Sequence, residues 1–246
     1  MYGNFAEYYD CLTYDVDYKK RTAFILKVFK KYGKVPTLLL DLACGTGGFS
    51  NCLAANGVEV IGVDMSEEML SVAREKSAEA GLDVLYLCQK AEELDLYGTV
   101  DGAICCLDSL NHITDYNDFC KAISKVSLFL EKDCLFVFDL NTEYKHKNVL
   151  SDNVFVIETQ DVYCVWANKY KEKTNSVDIS LDFFVKSGDC YFRESEQFTE
   201  RAYSDSQVKT ACEKAGLEIL EIFDDYTQKP LGDTSQRAVV VARKVK

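Results

Sequence analysis

Leu38–Ser50 reads LLLDLACGTGGFS, and the order of residue types in it decides the fold. Three leucines and Asp41 give the pattern of a short buried strand, and a Gly-rich turn follows with no spacer. Phe49, Leu53 and Ala54 then share one face of a helix expected to end near Gly57. Strand, tight turn and helix start in succession turn backbone N–H groups toward a ligand. The missing Cβ atoms at Gly45, Gly47 and Gly48 let that ligand come close. A phosphate-binding loop requires Gly-Lys followed by Ser or Thr, which this turn lacks. A dinucleotide fingerprint begins at Gly45-Thr46-Gly47 but meets Ser50 where its third glycine belongs.

Val58–Val63 (VEVIGV) reads as a second buried strand that ends at Asp64, followed by Met65-Ser66-Glu67-Glu68-Met69-Leu70. A carboxylate at a strand tip can accept hydrogen bonds from both hydroxyls of a ribose lying across the strand ends. DLACGTGG and GVDMSEEML at this separation resemble the first two motifs of class I S-adenosylmethionine-dependent methyltransferases. The resemblance implies an α/β fold with a Rossmann-like, seven-stranded, doubly wound sheet, and S-adenosylmethionine as cofactor. It implies cofactor contacts at Asp41, Ala43, Cys44, Gly45 and Gly47, at Asp64 for the ribose, and at Met65 for the adenine. Members of the family usually carry an acidic residue just after the third strand. Here Val84–Cys88 is followed by Gln89-Lys90-Ala91-Glu92, with Lys90 in the acid's place. Lysine accepts no hydrogen bond, so the adenine edge is expected to meet Gln89, Lys90 and Ala91, with Gln89, Glu92 or the Ala91 backbone as acceptor.

The first 33 residues are rich in tyrosine (Tyr2, Tyr8, Tyr9, Tyr14, Tyr18, Tyr32), and an amphipathic helix is expected from Asp15 to Gly33. Phe5–Asp10 (FAEYYD) resembles the N-terminal arm that closes over the cofactor in small-molecule methyltransferases, which nominates Tyr9 and Tyr18; anchoring of a terminal helix is the competing role. Asp101–Cys106 reads as a fourth strand leading into CCLDSLNHI, a segment that should face cofactor and acceptor at the switch in strand order. By resemblance Leu107 touches the cofactor, while Asp108 and Asn111 lie near the transferred methyl. Asp108 and His112, in that order, are the candidate bases, with a nearby tyrosine behind them; Asp108, Ser109 and Asn111 could equally cap and turn the chain. The fifth strand, Cys134–Asp139, leads to Asn141 on the acceptor side. His146 falls in a polar stretch expected to be a surface loop.

From about Tyr144 the rhythm changes to period-two alternation over Val154–Glu158, Val162–Tyr170, Ser176–Lys186 and Cys190–Tyr203. Residues 144–203 are therefore expected to form an inserted antiparallel β subdomain roofing the acceptor, between cofactor-domain segments 1–143 and 204–246. Trp166 and Arg193 lead its acceptor-facing candidates, with Tyr170, Phe183, Phe184, Tyr191 and Phe192 behind them. A helix at 206–215 and two β runs, Leu217–Phe223 and Arg237–Lys244, then complete the sheet.

With 246 residues the chain can bury a core without staples. A net charge of −12 opposes polyanion binding, so nucleic acid is not the expected partner. There is no run of 18 apolar residues and no signal-peptide pattern. Eleven cysteines, an odd count without a C-x-x-C pair, suit a reduced cytoplasm, act mainly as small hydrophobes and suggest no metal site. The expectation is a cytoplasmic methyltransferase acting on a small molecule, as a monomer or weak homodimer. The alternatives are a non-catalytic protein binding the same cofactor and an NAD-dependent oxidoreductase.

Overall fold

Leucines 38, 39, 40 and 42 have no polar side chain to satisfy, and strand β1 (Leu38–Leu42) places them at the centre of the molecule. Alternation along β1 sends them to opposite layers. Leu39 packs with helices α2 (Tyr18–Tyr32) and α3 (Gly48–Ala54); Leu40 and Leu42 pack with α5 (Tyr116–Phe129). Each fully buried leucine contributes roughly 1.5–3 kcal/mol. The computed structural model describes residues 5–13 and 15–246; Tyr2 and Tyr14 of the tyrosine-rich segment lie outside the described residues.

Around β1 lie β2 (Glu59–Asp64), β3 (Val84–Cys88), β4 (Gly102–Cys105) and β5 (Leu135–Asn141), all parallel. Two C-terminal strands, β10 (Leu217–Asp224) and β11 (Arg237–Lys244), form an antiparallel pair, and β11 is antiparallel to β5. The resulting order is β10-β11-β5-β4-β1-β2-β3, so the switch falls between β1 and β4, with helices on both faces. The helices begin where the caps allow. Asp17, Ser66 and Asp115 accept backbone N–H bonds at the starts of α2, α4 (Glu67–Glu79) and α5, and Ser204 with Gln207 makes a capping box on α6 (Asp205–Lys214).

The second sheet is built from β6 (Val154–Glu158), β7 (Val162–Lys171), β8 (Ser176–Ser187) and β9 (Cys190–Arg201), antiparallel in that order. Its inner face, with Val177, Ile179, Leu181 and Phe183, packs on Ala6 of helix α1 (Phe5–Leu12) and Met69 of α4. This seats it over the carboxyl ends of the parallel strands. The outer face keeps Tyr191 and Arg193 in solvent, and Phe192, on the other face beyond the packed core, is exposed as well.

Two local expectations fail. His146 does not lie on a surface loop: the chain leaves β5 through a π-helical turn, Lys145–Leu150, that buries its imidazole completely. Cys88 is exposed at the end of β3 instead of packed as a small hydrophobe.

Candidate active site

At the end of β1 the chain must turn within a few residues, and it does so with left-handed backbone at Ala43 (φ 56°), Gly45 (55°) and Gly47 (78°). Asp64, at the tip of β2, holds this turn. One carboxylate oxygen accepts from the Gly45 N–H and the other from the Ser66 N–H, both at 2.9 Å. Each oxygen retains a lone pair for a further donor. Burial raises the Asp64 pKa, and the Ser66 and Gly45 N–H bonds oppose that rise. Met65 stands exposed beside it.

The glycines serve different ends. Gly45 lines the cleft together with Tyr9, Tyr18, Asp41, Ala43, Cys44 and Leu107. Gly47 does not line it; a Cβ there would lie 2.6 Å from the Tyr86 hydroxyl and 3.1 Å from Ala73 Cβ, so internal packing requires this glycine. A Cβ on Gly48 would lie 2.4 Å from the Tyr18 ring, which stands edge-on to Phe49 at 5.2 Å. Asp41, beneath the turn, accepts from the Ser50 hydroxyl at 2.5 Å, and burial pushes its carboxyl up to about 7. Burial, with Tyr18, Asp108 and Asp64 nearby, raises the Tyr9 pKa, which makes that phenol a poor base.

The end of β4 is strained in the same way. Leu107 (φ 57°) and Asp108 (φ 53°) are consecutive non-glycine residues in left-handed backbone. Their N–H groups both donate to Asp139 on β5, at 2.8 and 2.6 Å. Asp139 is fully buried and also accepts from the Tyr226 hydroxyl and the Arg237 guanidinium. Arg237 pairs in turn with Asp108 at 2.5 Å. Burial works to raise the Asp108 pKa, but Arg237, Lys145 and His112 hold it well below the usual carboxylate range. A carboxylate so stabilised is a weak base.

His112 is the better-placed candidate base. Its ring lies against Phe198 (centroids 4.9 Å apart), and Nε2 is 3.8 Å from Oε1 of Glu200, a buried carboxylate on β9. Oε2 of Glu200 accepts from Asn141 Nδ2 at 3.0 Å and lies 3.4 Å from His146 Nε2. Among the described residues, neither ring nitrogen of His146 has a hydrogen-bond partner.

These groups open on a cavity of about 1330 Å³ between the strand ends and the second sheet. Tyr9, Ala43, Gly45, Asp64, Met65, Gln89, Lys90, Ala91, Leu107, Asp108, His112, Asn141 and Trp166 line it. Single-ligand pockets run to about 300–1,000 Å³, so there is room for a nucleoside and a second molecule. Lys90 lies half-exposed near Glu93, 3.9 Å away, and the Gln89 amide is committed to the backbone of Asp95 at 3.0 and 2.8 Å. Among the described residues that leaves the Glu92 carboxylate as the uncommitted acceptor of this segment, since the Ala91 carbonyl already accepts from the Leu94 N–H at 3.4 Å.

Two expected acceptor residues are placed elsewhere. Asn111 is fully buried and its amide joins three segments: Nδ2 donates to the carbonyls of Asn141 (3.2 Å) and Arg201 (2.8 Å), and Oδ1 accepts from the Asn141 N–H (2.9 Å). Arg193 points from the outer face of β9 and pairs with Asp182 at 2.8 Å, because period-two alternation puts it on the face opposite the cavity. Residues the sequence reading passed over are Arg21, Asp139, Lys145, His146, Glu200 and Arg237. For Arg21 the available signal was its place three residues after Tyr18 on one helix face; the others carry no local motif.

Comparison with known proteins agrees with this geometry. A family model described as a methyltransferase domain matches residues 39–132. A Geobacillus sp. (strain WCH70) protein named "Putative methyltransferase" is 31% identical over 99% of both chains, and "Putative methyltransferase YqeM" of Bacillus subtilis (strain 168) is 30% identical over 100% of this chain and 98% of its own. The crystal structure of an S-adenosylmethionine-dependent methyltransferase from Clostridium acetobutylicum ATCC 824 superposes with a TM-score of 0.91 at 34% identity, covering 100% of this chain and 99% of the other. The chain belongs to the class I S-adenosylmethionine-dependent methyltransferases. Its fold and cofactor class are those the first two motifs imply, and no described helix is long and apolar enough to cross a membrane. The methyltransferase's own residues fit the donor. Asp64 has spare acceptor capacity for a diol, and Arg21, on the cavity wall over the Tyr226 ring (4.7 Å), carries a buried Nη1 that has no hydrogen-bond partner among the described residues and suits the donor's carboxylate.

Proposed function

We propose that this methyltransferase acts on a small-molecule acceptor held between the strand ends and the second sheet, with His112 as the group that takes the acceptor's proton. When bound, S-adenosylmethionine supplies an electrophilic methyl group on a sulfonium. Asp64, Met65, the Ala43–Gly45 turn, Leu107 and Arg21 would hold it, with Tyr9 and Tyr18 closing the site and Ala91 at the adenine. Asp108, kept ionised by Arg237, fixes the turn after β4 and adds negative charge where a cationic donor lies. The His112 ring lines the cavity about one-third exposed, and Glu200, 3.8 Å from Nε2, stabilises the imidazolium formed on proton uptake. Trp166, Phe198 and Phe155 offer an apolar wall that keeps water from the acceptor.

The observation that carries this reading is the single cavity reaching from Asp64 to the His112–Glu200 pair. The acidic balance of the chain supports a metabolite over nucleic acid, and its cysteine usage a cytoplasmic setting; a monomer or weak homodimer completes the reading. The test is transfer of labelled methyl from S-adenosylmethionine into a cell extract split by size. Label is expected in the fraction below about the size of a small metabolite, at a rate lowered about 10²–10⁴-fold in His112→Ala. Label confined to protein or RNA would overturn the small-molecule assignment.

A further inference from the structure

Lys145 opens the π-helical turn after β5 and lies on the cavity wall. Its ammonium donates to Asn141 Oδ1 at 2.9 Å and, among the described residues, has no carboxylate within ion-pair distance. The acids around it are already engaged: Asp108 with Arg237, Glu200 with the Nδ2 end of the same Asn141. Asn141 thus stands as a spacer, with an ammonium on its oxygen and a carboxylate on its nitrogen, and the two charges do not neutralise each other directly. An ammonium has three donors, and only one is used here. Removing such a charge from water without a partner is costly, and burial lowers the Lys145 pKa even though Asp108 opposes that effect.

The surrounding wall fixes what could complete this arrangement. Leu150, Phe155, Ile157, Trp166, Leu181 and Phe198 supply apolar surface in the same cavity as the ammonium. Apart from Lys145, nine acidic residues line the cavity against three basic ones, which disfavours a dianion such as a phosphate ester. We infer that Lys145 is the anchor for a monoanionic carboxylate on the acceptor, whose apolar body lies against the second sheet and whose nucleophile faces His112. This substrate class rests on the small-molecule methyltransferase reading above.

Trp166 is the sole tryptophan of the chain and lines the same cavity, so its emission reports occupancy. Enzyme saturated with S-adenosylhomocysteine is titrated with 3-phenylpropanoate and octanoate, their primary amides, and 2-phenylethylphosphonate, in the native chain, Lys145→Met and Lys145→Arg. The carboxylates are expected to saturate the signal at concentrations about 10–100-fold below their amides. Lys145→Met should abolish that preference, Lys145→Arg should keep most of it, and neither should change S-adenosylhomocysteine affinity. Equal binding of acid and amide, preference for the phosphonate, no saturation by either carboxylate, or a carboxylate preference that survives in Lys145→Met each overturns the inference. So does a fall in S-adenosylhomocysteine affinity in Lys145→Met, which would assign the lysine to the donor. Failure of the native chain to bind S-adenosylhomocysteine at all would instead sink the functional reading.

Discussion

The two walls of the cavity are made of different material. The wall proposed for the donor is mainly backbone: a turn forced into left-handed conformation, held by one carboxylate that clasps two N–H groups. The wall proposed for the acceptor is mainly side chain: His112, Asn141, Lys145 and Glu200, brought from the turn after β4, from β5, from a π-helical turn and from the end of β9. A backbone wall depends on glycines and local geometry, so a dozen consecutive residues specify it. A side-chain wall depends on tertiary placement, and changing its chemistry requires only that neighbours be exchanged together.

The largest effect that would break this contrast lies at Arg237, which neutralises Asp108 and Asp139 together. Arg237→Met leaves two buried carboxylates without their cation and should destabilise the protein by about 3–5 kcal/mol. Denaturant unfolding measures it. A loss below about 1 kcal/mol would mean that Asp139 is satisfied by Tyr226 and backbone alone.

Asp41 should make the donor wall sensitive to pH. Its folded pKa, about 7, lies above the unfolded value of 3.8, so the folded state binds the extra proton between those values. Its contribution is therefore complete at low pH and is lost as pH rises through about 7. Asp41→Asn should gain stability over the parent chain between pH 5 and 8, by up to about 3 kcal/mol. Matched unfolding curves at those two values decide the matter, and parallel curves would show that Ser50 already compensates the charge.

Asp64→Ala should weaken S-adenosylhomocysteine binding by about 1.5–3 kcal/mol in calorimetry, through lost hydrogen bonds and a freed turn. Unchanged affinity would remove Asp64 from the ribose and leave it only its structural clasp. The smallest effect is expected on the outer face of the second sheet. Arg193→Ala breaks an exposed ion pair and should change stability by less than about 1 kcal/mol and turnover not at all. A tenfold loss of activity would return Arg193 to the acceptor list.

The same contrast explains what could be read in advance. LLLDLACGTGG and GVDMSEEML are contiguous runs, so the strand–turn–helix around Gly45, the position of Asp64 at a strand tip and the seven-stranded sheet were legible in them. The long alternating runs likewise announced the four antiparallel strands. Glu200 and Arg237 gave no such signal, because an acid or a cation in an alternating strand looks like any solvent-facing residue until the partner strand is known. His146 was hidden by its polar neighbours Lys145, Lys147 and Asn148, only one face of which turns inward. Asn111 stood in the right segment with the wrong orientation: its amide serves the junction between strands.

That junction sets where the enzyme can vary. The second sheet is tethered to the rest at its exit, through Arg201 on Asn111 and Glu200 on Asn141, while the β8–β9 tip near Gly188 is far from any tether. A graft of foreign hairpin sequence should be accommodated at the tip and disrupt at the root. New acceptor preferences can therefore accumulate in the middle of this sheet while the machinery that grips the donor stays as it is.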